Sequence, residues 1–254
     1  MDSVAGLGDL DGEAAMGDEA SAAAGLALET GNDGRTEWQY GVRCVPPYSV
    51  RKGGLGGMGM FARRRISRGE RIIADAPLLL WRTAAPPPGC LRYPIESLVQ
   101  RVDALSSPDR ARFYALSQDA KYGVRKTAQG VWQTNVYPLS QSADGSSTAA
   151  IFTDCSRVNH ACRPNMHNDY NASLGMMTLH AVQTIEAGEE LTVSYLGQGG
   201  NERAVRQSAL RDRFGFDCGC VLCSQHGTCL ERSDAAQRSI GRLQEEILRL
   251  EVSK

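Results

Sequence analysis

Four cysteines in two separate groups have the residue type and spacing of a metal site. Cys218, Cys220 and Cys223 form a Cys-x-Cys-x-x-Cys run, and Cys162 lies well upstream. Structural zinc is bound in a tetrahedron, often by thiolates alone, so this run would supply three ligands from one short loop. We predict a structural zinc site formed by these four thiols, with Cys162 as the fourth ligand. Such a site would tie the C-terminal part of the chain to its middle.

A polar loop surrounds the upstream cysteine. The stretch from Asn159 to Asn165 reads Asn-His-Ala-Cys-Arg-Pro-Asn and lies between two strand-like segments. A connecting loop with this density of polar and metal-binding side chains usually binds a ligand. A lone histidine is more often structural, and a lone cysteine is more often a small buried apolar residue. The combination with the downstream cysteines is what favours a functional role.

A third candidate is a glycine-rich turn. Gly53 to Gly59 leads into the apolar segment Met60 to Ala62. Glycine is used where the backbone takes positive φ or approaches a ligand closely. No Gly-Lys-Ser/Thr follows, as in a phosphate loop, and no helical pattern begins there, as in a dinucleotide fingerprint. Taken alone, this stretch predicts a flexible turn.

The elements that must position these residues are short strands and one helical segment. Strand-like runs separated by glycine-rich and charged turns form a first β block over residues 40–77 and a second over residues 175–195. Apolar residues at helical spacing between them predict a helical insertion at about residues 86–130, after which strand character resumes near Val131. We expect the second β block to face the first across these helices.

The two ends of the chain differ in character. Residues 1–36 are dominated by Ala, Gly, Asp and Glu and contain no aromatic residue, which predicts a disordered leader. At the other end, Leu243, Ile247 and Leu250 line one face of a predicted final helix over residues 230–254, and an apolar face of this kind is typical of a packing helix.

Composition restricts the class of partner and the compartment. Lys and Arg total 28 against 29 Asp and Glu, a net charge of -1, so we expect no direct binding of nucleic acid. The eight cysteines include a cluster at metal-ligand spacing and no secretory signal precedes them, which favours a reducing compartment, the nucleus or the cytoplasm. No stretch approaches the roughly 18 apolar residues of a membrane span, so we expect no membrane partner.

Four motifs in a fixed order resemble a SET domain with its post-SET zinc loop, over roughly residues 40–223. In chain order they are the glycine turn with Phe61-Ala62, Asn159-His160-x-Cys162-x-Pro164-Asn165, Gly188-Glu189-Glu190-Leu191-Thr192-Val193-Ser194-Tyr195, and Cys218-x-Cys220-x-x-Cys223. Phe214-Gly215-Phe216, just ahead of the cysteines, is similar to the SET-and-MYND branch and to related fungal SET proteins. The chain departs from that branch because it shows no second zinc finger between the β blocks.

The resemblance implies an α+β fold, mainly β. Small twisted β-sheets would form the SET domain over residues 37–197 and would carry the helical insertion. A post-SET zinc-binding loop would follow over residues 198–229, ahead of the final helix.

The resemblance also implies a protein-lysine methyltransferase that uses S-adenosylmethionine and acts on a protein substrate, histone or other. Cofactor and lysine would enter from opposite faces and meet in a narrow channel. Tyr195 matches the tyrosine that orients amine and methyl, and is the expected catalytic residue. Phe216 is expected to stack on adenine. The other expected cofactor-binding residues are Gly57, Met58, Gly59, Asn135, Ser156, Val158, Asn159 and His160. Cys155, His226 and Cys229 could in principle bind metal, but they lie outside the matched positions, and we do not expect them to be zinc ligands.

Two alternatives stay open at the level of the sequence. One is a SET-fold interaction module that has lost turnover and is stabilised by zinc. The presence of Tyr195, Asn159 and His160 favours the enzyme, since a degenerate copy need not retain all three. The other is a zinc-ribbon nucleic-acid binder, which the missing excess of basic residues disfavours.

Overall fold

The computed structural model describes residues 29–30, 36–37, 45–53, 57–83, 95–141, 146–196 and 200–252. The chain divides into two compact units, Met1–Val45 and Pro46–Lys254. In the first, β1 (Glu29–Thr30) pairs antiparallel with β2 (Thr36–Glu37). The rest of the predicted disordered leader lies outside the described residues.

The second unit contains ten short strands and five α-helices within the described ranges. The strands are β3 (Tyr48–Lys52), β4 (Met58–Ala62), β5 (Arg71–Asp75), β6 (Leu79–Thr83), β7 (Tyr137–Gln141), β8 (Ser147–Ile151), β9 (Asn159–His160), β10 (Met166–Asn171), β11 (Met176–Ala181) and β12 (Glu190–Val193). The helices are α1 (Ile95–Asp103), α2 (Ser107–Ala115), α3 (Ala128–Asn135), α4 (Arg203–Phe214) and α5 (Gly227–Val252), with 3-10 helices at Ala120–Tyr122 and Cys155–Arg157. None of these described helices is long and apolar enough to cross a membrane.

Three small sheets form the framework. Their strand orders are β3-β4-β12-β9, β10-β11-β5 and β6-β8-β7. Strands from the early and late parts of the chain pair directly, β4 with β12 and β5 with β11, both antiparallel. The expectation that the second β block faces the first across the helices is therefore wrong. Short strands must satisfy their backbone groups by pairing, and here the two blocks pair with each other.

Two apolar clusters make up most of the core. The larger lies among the first two sheets and includes the fully buried Met60, Leu179 and Leu191. The second joins the helices to the third sheet, where Trp81 and Trp132 pack edge to face with ring centroids 5.4 Å apart. The predicted α+β fold of small sheets with a helical insertion is confirmed, and the insertion packs on the β6-β8-β7 sheet.

The helical segment ends later than the sequence suggests. Its described helices occupy residues 95–135, whereas residues 84–94 lie outside the described part. The predicted strand character near Val131 is wrong, because Val131 is buried within α3. The Thr127 hydroxyl accepts the backbone N–H of Gly130 at 3.0 Å and so caps this helix. Packing of Trp132 against the third sheet then outweighs the β preference of valine.

The C-terminal part is more helical than a zinc loop over residues 198–229 implies. Helix α4 occupies Arg203–Phe214 and ends at Gly215, which has a left-handed φ of 72°. The non-helical part of this stretch that carries the cysteines is residues 215–226. Helix α5 begins at Gly227 rather than at residue 230.

The predicted packing face of the final helix is wrong. Leu243, Ile247 and Leu250 are 59%, 55% and 62% exposed. The earlier turns of α5 make the contacts instead: Gln237 accepts the backbone N–H of Gly200, and Asp234 accepts that of Arg203, both at 2.9 Å.

Candidate active site

Strands β4, β9 and β12 bring three distant motifs together at Gly59, Asn159 and Glu190, which we call the Gly59 corner. The Asn159 amide donates to Glu190 Oε1 at 2.7 Å. A Cβ on Gly59 would collide with the Glu190 carboxylate and lie 2.8 Å from Asn159 Nδ2. Only glycine fits here without displacing a neighbour. Gly57, by contrast, has open space, and Met58 is 43% exposed.

The turn at residues 155–157, which leads into Asn159, is held by a buried carboxylate. Asp75 Oδ2 accepts the backbone N–H groups of Asp154 at 2.7 Å and Cys155 at 3.0 Å. Burial, reinforced by the neighbouring Asp154 charge, raises the pKa of Asp75 to about 7. In the same turn, Ser156 Oγ is buried and has no hydrogen-bond partner among the described residues. An open buried hydroxyl is a group that a ligand can satisfy.

Tyr195 follows β12 and sits in a cluster of aromatic rings. Its hydroxyl donates to the carbonyl of Val158 at 2.7 Å. Its ring centroid lies 5.0 Å from that of Phe214, 5.3 Å from that of His160 and 6.4 Å from that of Phe216. Burial, with a smaller contribution from Glu190, raises the pKa of Tyr195 to about 12, so the phenol stays protonated at neutral pH. The hydroxyl proton is committed to Val158, and the oxygen lone pairs remain as acceptors.

The His160 side chain is used inside the protein. Its Nδ1 accepts the backbone N–H of Tyr195 at 3.0 Å, and its Nε2 lies 3.3 Å from Cys162 Sγ. A backbone N–H can only donate, so the ring proton sits on Nε2 and faces the sulfur. Burial lowers the pKa of His160 to about 4, which keeps the ring neutral. Both ring nitrogens are thus occupied, and the backbone of His160 is the part left to contact a cofactor.

Among the predicted cofactor residues, Asn135 is the one that comes from a helix, as the last residue of α3. Its amide donates to the carbonyls of Ser117 and Val131, each at 2.7 Å. An amide has two hydrogens, so only the Asn135 oxygen is left for a ligand.

The four predicted zinc ligands come together in space. The sulfur atoms of Cys162, Cys218, Cys220 and Cys223 all lie within 4.8 Å of one another. Cys162 Sγ is 3.4 Å from Cys223 Sγ and 3.9 Å from Cys218 Sγ. A tetrahedral zinc ion with Zn–S bonds of about 2.3 Å places its sulfurs about 3.8 Å apart, so the cluster fits zinc.

Helix α4 holds the cysteine loop, a role that the sequence analysis missed. Gln207 accepts the backbone N–H of Cys218 at 2.9 Å and donates to its carbonyl at 2.7 Å. Arg203 donates to the Gln225 carbonyl at 2.9 Å. Arg206 is buried, with Nη2 3.9 Å from Cys223 Sγ. The available signal was the spacing of Arg203, Arg206, Gln207 and Leu210, which places all four on one helix face.

Glu190 was also missed, although it lies inside a motif used for the resemblance. In a sequence, adjacent glutamates in a turn are typical of a solvated surface. The contact with Asn159 becomes visible only when β9 and β12 are paired in parallel.

Comparison with known proteins identifies the family. A family model described as SET domain matches residues 57–196, more than half of the chain. "Histone-lysine N-methyltransferase set5" of Schizosaccharomyces pombe is 30% identical over 168 residues, which cover 66% of this chain and 47% of that protein.

Two animal relatives match over shorter regions. Mouse "Histone-lysine N-methyltransferase SMYD3" is 38% identical over 73 residues, 29% of this chain and 16% of that protein. Chicken "Protein-lysine N-trimethyltransferase SMYD5" is 33% identical over 84 residues, 32% of this chain and 19% of that protein. The chain spans less than half the length of these curated relatives. The relatives support the predicted branch, and the match to the SET model over more than half of the residues shows that the chain belongs to the SET-domain family.

Proposed function

We propose that the protein is a protein-lysine N-methyltransferase that moves a methyl group from S-adenosylmethionine to a lysine of a protein substrate, a histone or another protein. Family membership and the names of the relatives support this activity. The observation that carries the proposal is the placement of Tyr195. Its hydroxyl is fixed by the Val158 carbonyl, and its ring contacts His160 of the Asn-His motif and Phe216 of the cysteine loop.

The chemistry requires an uncharged amine. A lysine ammonium has a pKa of about 10.4. Deprotonating it at pH 7 therefore costs roughly 4.6 kcal/mol. An apolar channel lowers the pKa of an ammonium, and the rings of Tyr195, Phe214 and Phe216 supply such a wall. S-adenosylmethionine supplies an electrophilic methyl group, and its sulfonium charge also lowers the pKa of the lysine ammonium. The free lone pairs of the Tyr195 oxygen can accept an amine N–H and so align the nucleophile.

We assign the cofactor site to the surroundings of the Gly59 corner. Asn159, the open Ser156 hydroxyl and the backbone of Gly57, Met58, Gly59, Val158 and His160 would bind the cofactor, the Asn135 amide oxygen would assist, and the Phe216 ring would stack on adenine. The buried, unpartnered Ser156 oxygen fits a polar ligand, and Gly59 supports the site indirectly by leaving room for the Glu190 carboxylate beside Asn159.

We assign a structural zinc ion to the four cysteines. Zinc binding is worth on the order of 10–16 kcal/mol in zinc-finger peptides, enough to fix the short loop that carries Phe216. Thiolate ligands remain reduced in the nucleus or cytoplasm, where we place the protein. The inactive interaction module is not favoured, because Tyr195, Asn159 and His160 all contribute to one connected site.

Transfer of labelled methyl groups to histones and to a panel of protein substrates tests the proposal. We expect Tyr195→Phe to lower transfer by about two orders of magnitude or more, a typical loss for a group that acts on the reacting atoms. Cofactor affinity and zinc content should stay close to those of the wild type, because neither uses the hydroxyl.

Tyr137→Phe is the matched control. Tyr137 also donates its hydroxyl to a backbone carbonyl, that of Cys155, at 3.0 Å. This variant should retain transfer. Equal activity of Tyr195→Phe and the wild type would remove Tyr195 from the catalytic role.

A further inference from the structure

A buried arginine lies against the sulfur cluster. Arg206 on α4 is only 5% exposed, and its Nη2 is 3.9 Å from Cys223 Sγ. Its Nη1 donates to the carbonyl of Asn201. Within the part of the chain that the structure describes, its hydrogen-bond partners are a carbonyl and a sulfur rather than a carboxylate, and its Nε is buried without a partner. A buried guanidinium in this situation needs a negative charge nearby.

The proposed metal site supplies that charge. Four thiolates and one Zn²⁺ sum to a net charge of about −2, which is costly to bury without a counter-charge. We infer that Arg206 is the counter-charge of the tetrathiolate site and holds the metal by stabilising the Cys223 thiolate. This inference rests on the zinc site of the proposed function. Arg206 acts through the ligand and is therefore a positioning residue.

Its neighbours on the same helix act differently. Gln207 contacts the backbone of Cys218, and Arg203 contacts the carbonyls of Cys223 and Gln225. Of these three side chains, only that of Arg206 contacts a sulfur. Arg203 is therefore a matched control, since it carries the same charge, lies on the same helix and holds the same loop through oxygen rather than sulfur.

The test is the zinc dissociation constant of the full chain, measured by competition with a chromophoric chelator at fixed pH. We expect Arg206→Met to weaken zinc binding by about 10- to 100-fold, the usual effect of losing an outer-shell partner. Arg206→Lys should recover most of the affinity, because it restores the charge. Arg203→Met removes the same charge but only contacts to the loop backbone, so it should weaken zinc binding clearly less than Arg206→Met does.

Cobalt substitution gives a readout that a general loss of stability would not move. Removing a positive charge raises the energy of the sulfur electrons, so the thiolate-to-cobalt charge-transfer band of Arg206→Met should shift to lower energy. Arg203→Met should leave the band unchanged. If Arg206→Met does not fold, Arg206→Gln removes the charge while keeping a polar side chain. We expect it to show the same loss of zinc affinity and the same band shift.

The outcomes separate the two claims. Wild-type zinc affinity and an unshifted band in a folded Arg206→Met or Arg206→Gln protein would overturn the inference and leave the zinc site standing. Arg206→Lys binding as weakly as Arg206→Met would contradict a role based on charge. A wild-type protein that takes up no stoichiometric zinc would overturn the metal site, and the inference with it.

Discussion

At the scale of single residues, the Gly59 corner shows how tightly the candidate cofactor site is built. The Asn159 amide is bonded to the Glu190 carboxylate, and the missing side chain of Gly59 makes room for both. Neither contact involves sequence neighbours. Their geometry therefore depends on the pairing of β12 with both β4 and β9.

Gly59→Ala should break this corner. The added methyl group would displace the Glu190 carboxylate from Asn159, and loss of a hydrogen bond to a charged group costs about 1.5–3 kcal/mol. We expect a lower melting temperature and weaker binding of S-adenosylmethionine, measured by calorimetric titration. Gly57→Ala is the control, because nothing lies within 4 Å of its added Cβ. Equal cofactor affinity of the Gly59→Ala protein and the wild type would place the cofactor elsewhere.

The raised pKa of Asp75 predicts how the stability of the protein depends on pH. Its folded pKa of about 7 lies above the ordinary value of 3.8, so the folded state binds this proton more tightly than the unfolded state does. The contribution of Asp75 to stability is therefore full below about pH 4 and is lost as pH rises through 7. The raised pKa of Asp75 therefore changes the free energy of unfolding by about 4 kcal/mol at most over this pH range.

Asp75→Asn removes this titration and keeps an oxygen to accept the N–H groups of Asp154 and Cys155. We expect the variant to gain stability relative to the wild type as pH rises from 5 to 8 in thermal unfolding. A difference in melting temperature between the two proteins that stays constant from pH 5 to 8 would show that Asp75 titrates normally.

At the scale of elements, the cysteine loop links α4 to the segment after β12 that carries Tyr195. The loop is tethered at its cysteines to Cys162, and Cys162 is joined to the Tyr195 backbone through His160. Phe214 and Phe216, at the end of α4 and the start of the loop, complete the aromatic cluster. Metal binding and the shape of the cofactor site should therefore change together.

Cys220→Ser should lower zinc content and weaken cofactor binding in parallel, because it removes one of four ligands from the loop that carries Phe216. Zinc affinity should fall by at least about tenfold. Metal analysis and calorimetric titration measure the two effects. Cys229→Ser is the control, since Cys229 is exposed and outside the cluster. Full zinc occupancy in Cys220→Ser would remove this thiol from the site.

The sequence predicts the strands better than it predicts how they combine. Segments such as Met60 to Ala62 and Gly175 to Val182 carry the apolar pattern of strands and lie within β4 and β11 or next to them. Val131 was assigned wrongly because β preference is local, whereas its burial in α3 comes from tertiary packing. The pairing of β4 with β12 joins residues some 130 positions apart, and no local pattern encodes that register.

At the scale of the whole molecule, the clustering of the four cysteines was the most predictable part of the candidate site. Cysteines have few alternative roles at this spacing, and the sulfur atoms do converge. The spacing of Arg206 places it on one helix face with Leu210, but its contact with Cys223 and the contact of Glu190 with Asn159 were not predictable, because exposed and buried charges look alike in a sequence. The use of both His160 ring nitrogens inside the protein also required the structure, since it depends on contacts with Cys162 and the Tyr195 backbone.

The central claim is that the described domain contains an intact S-adenosylmethionine site, completed by the zinc-held loop. Calorimetric titration of the zinc-loaded protein with S-adenosylmethionine and with its demethylated product tests it most directly. The account predicts that both ligands bind at one site per chain with micromolar affinity. A folded, zinc-loaded protein that binds neither ligand would contradict the account and favour a SET-fold interaction module.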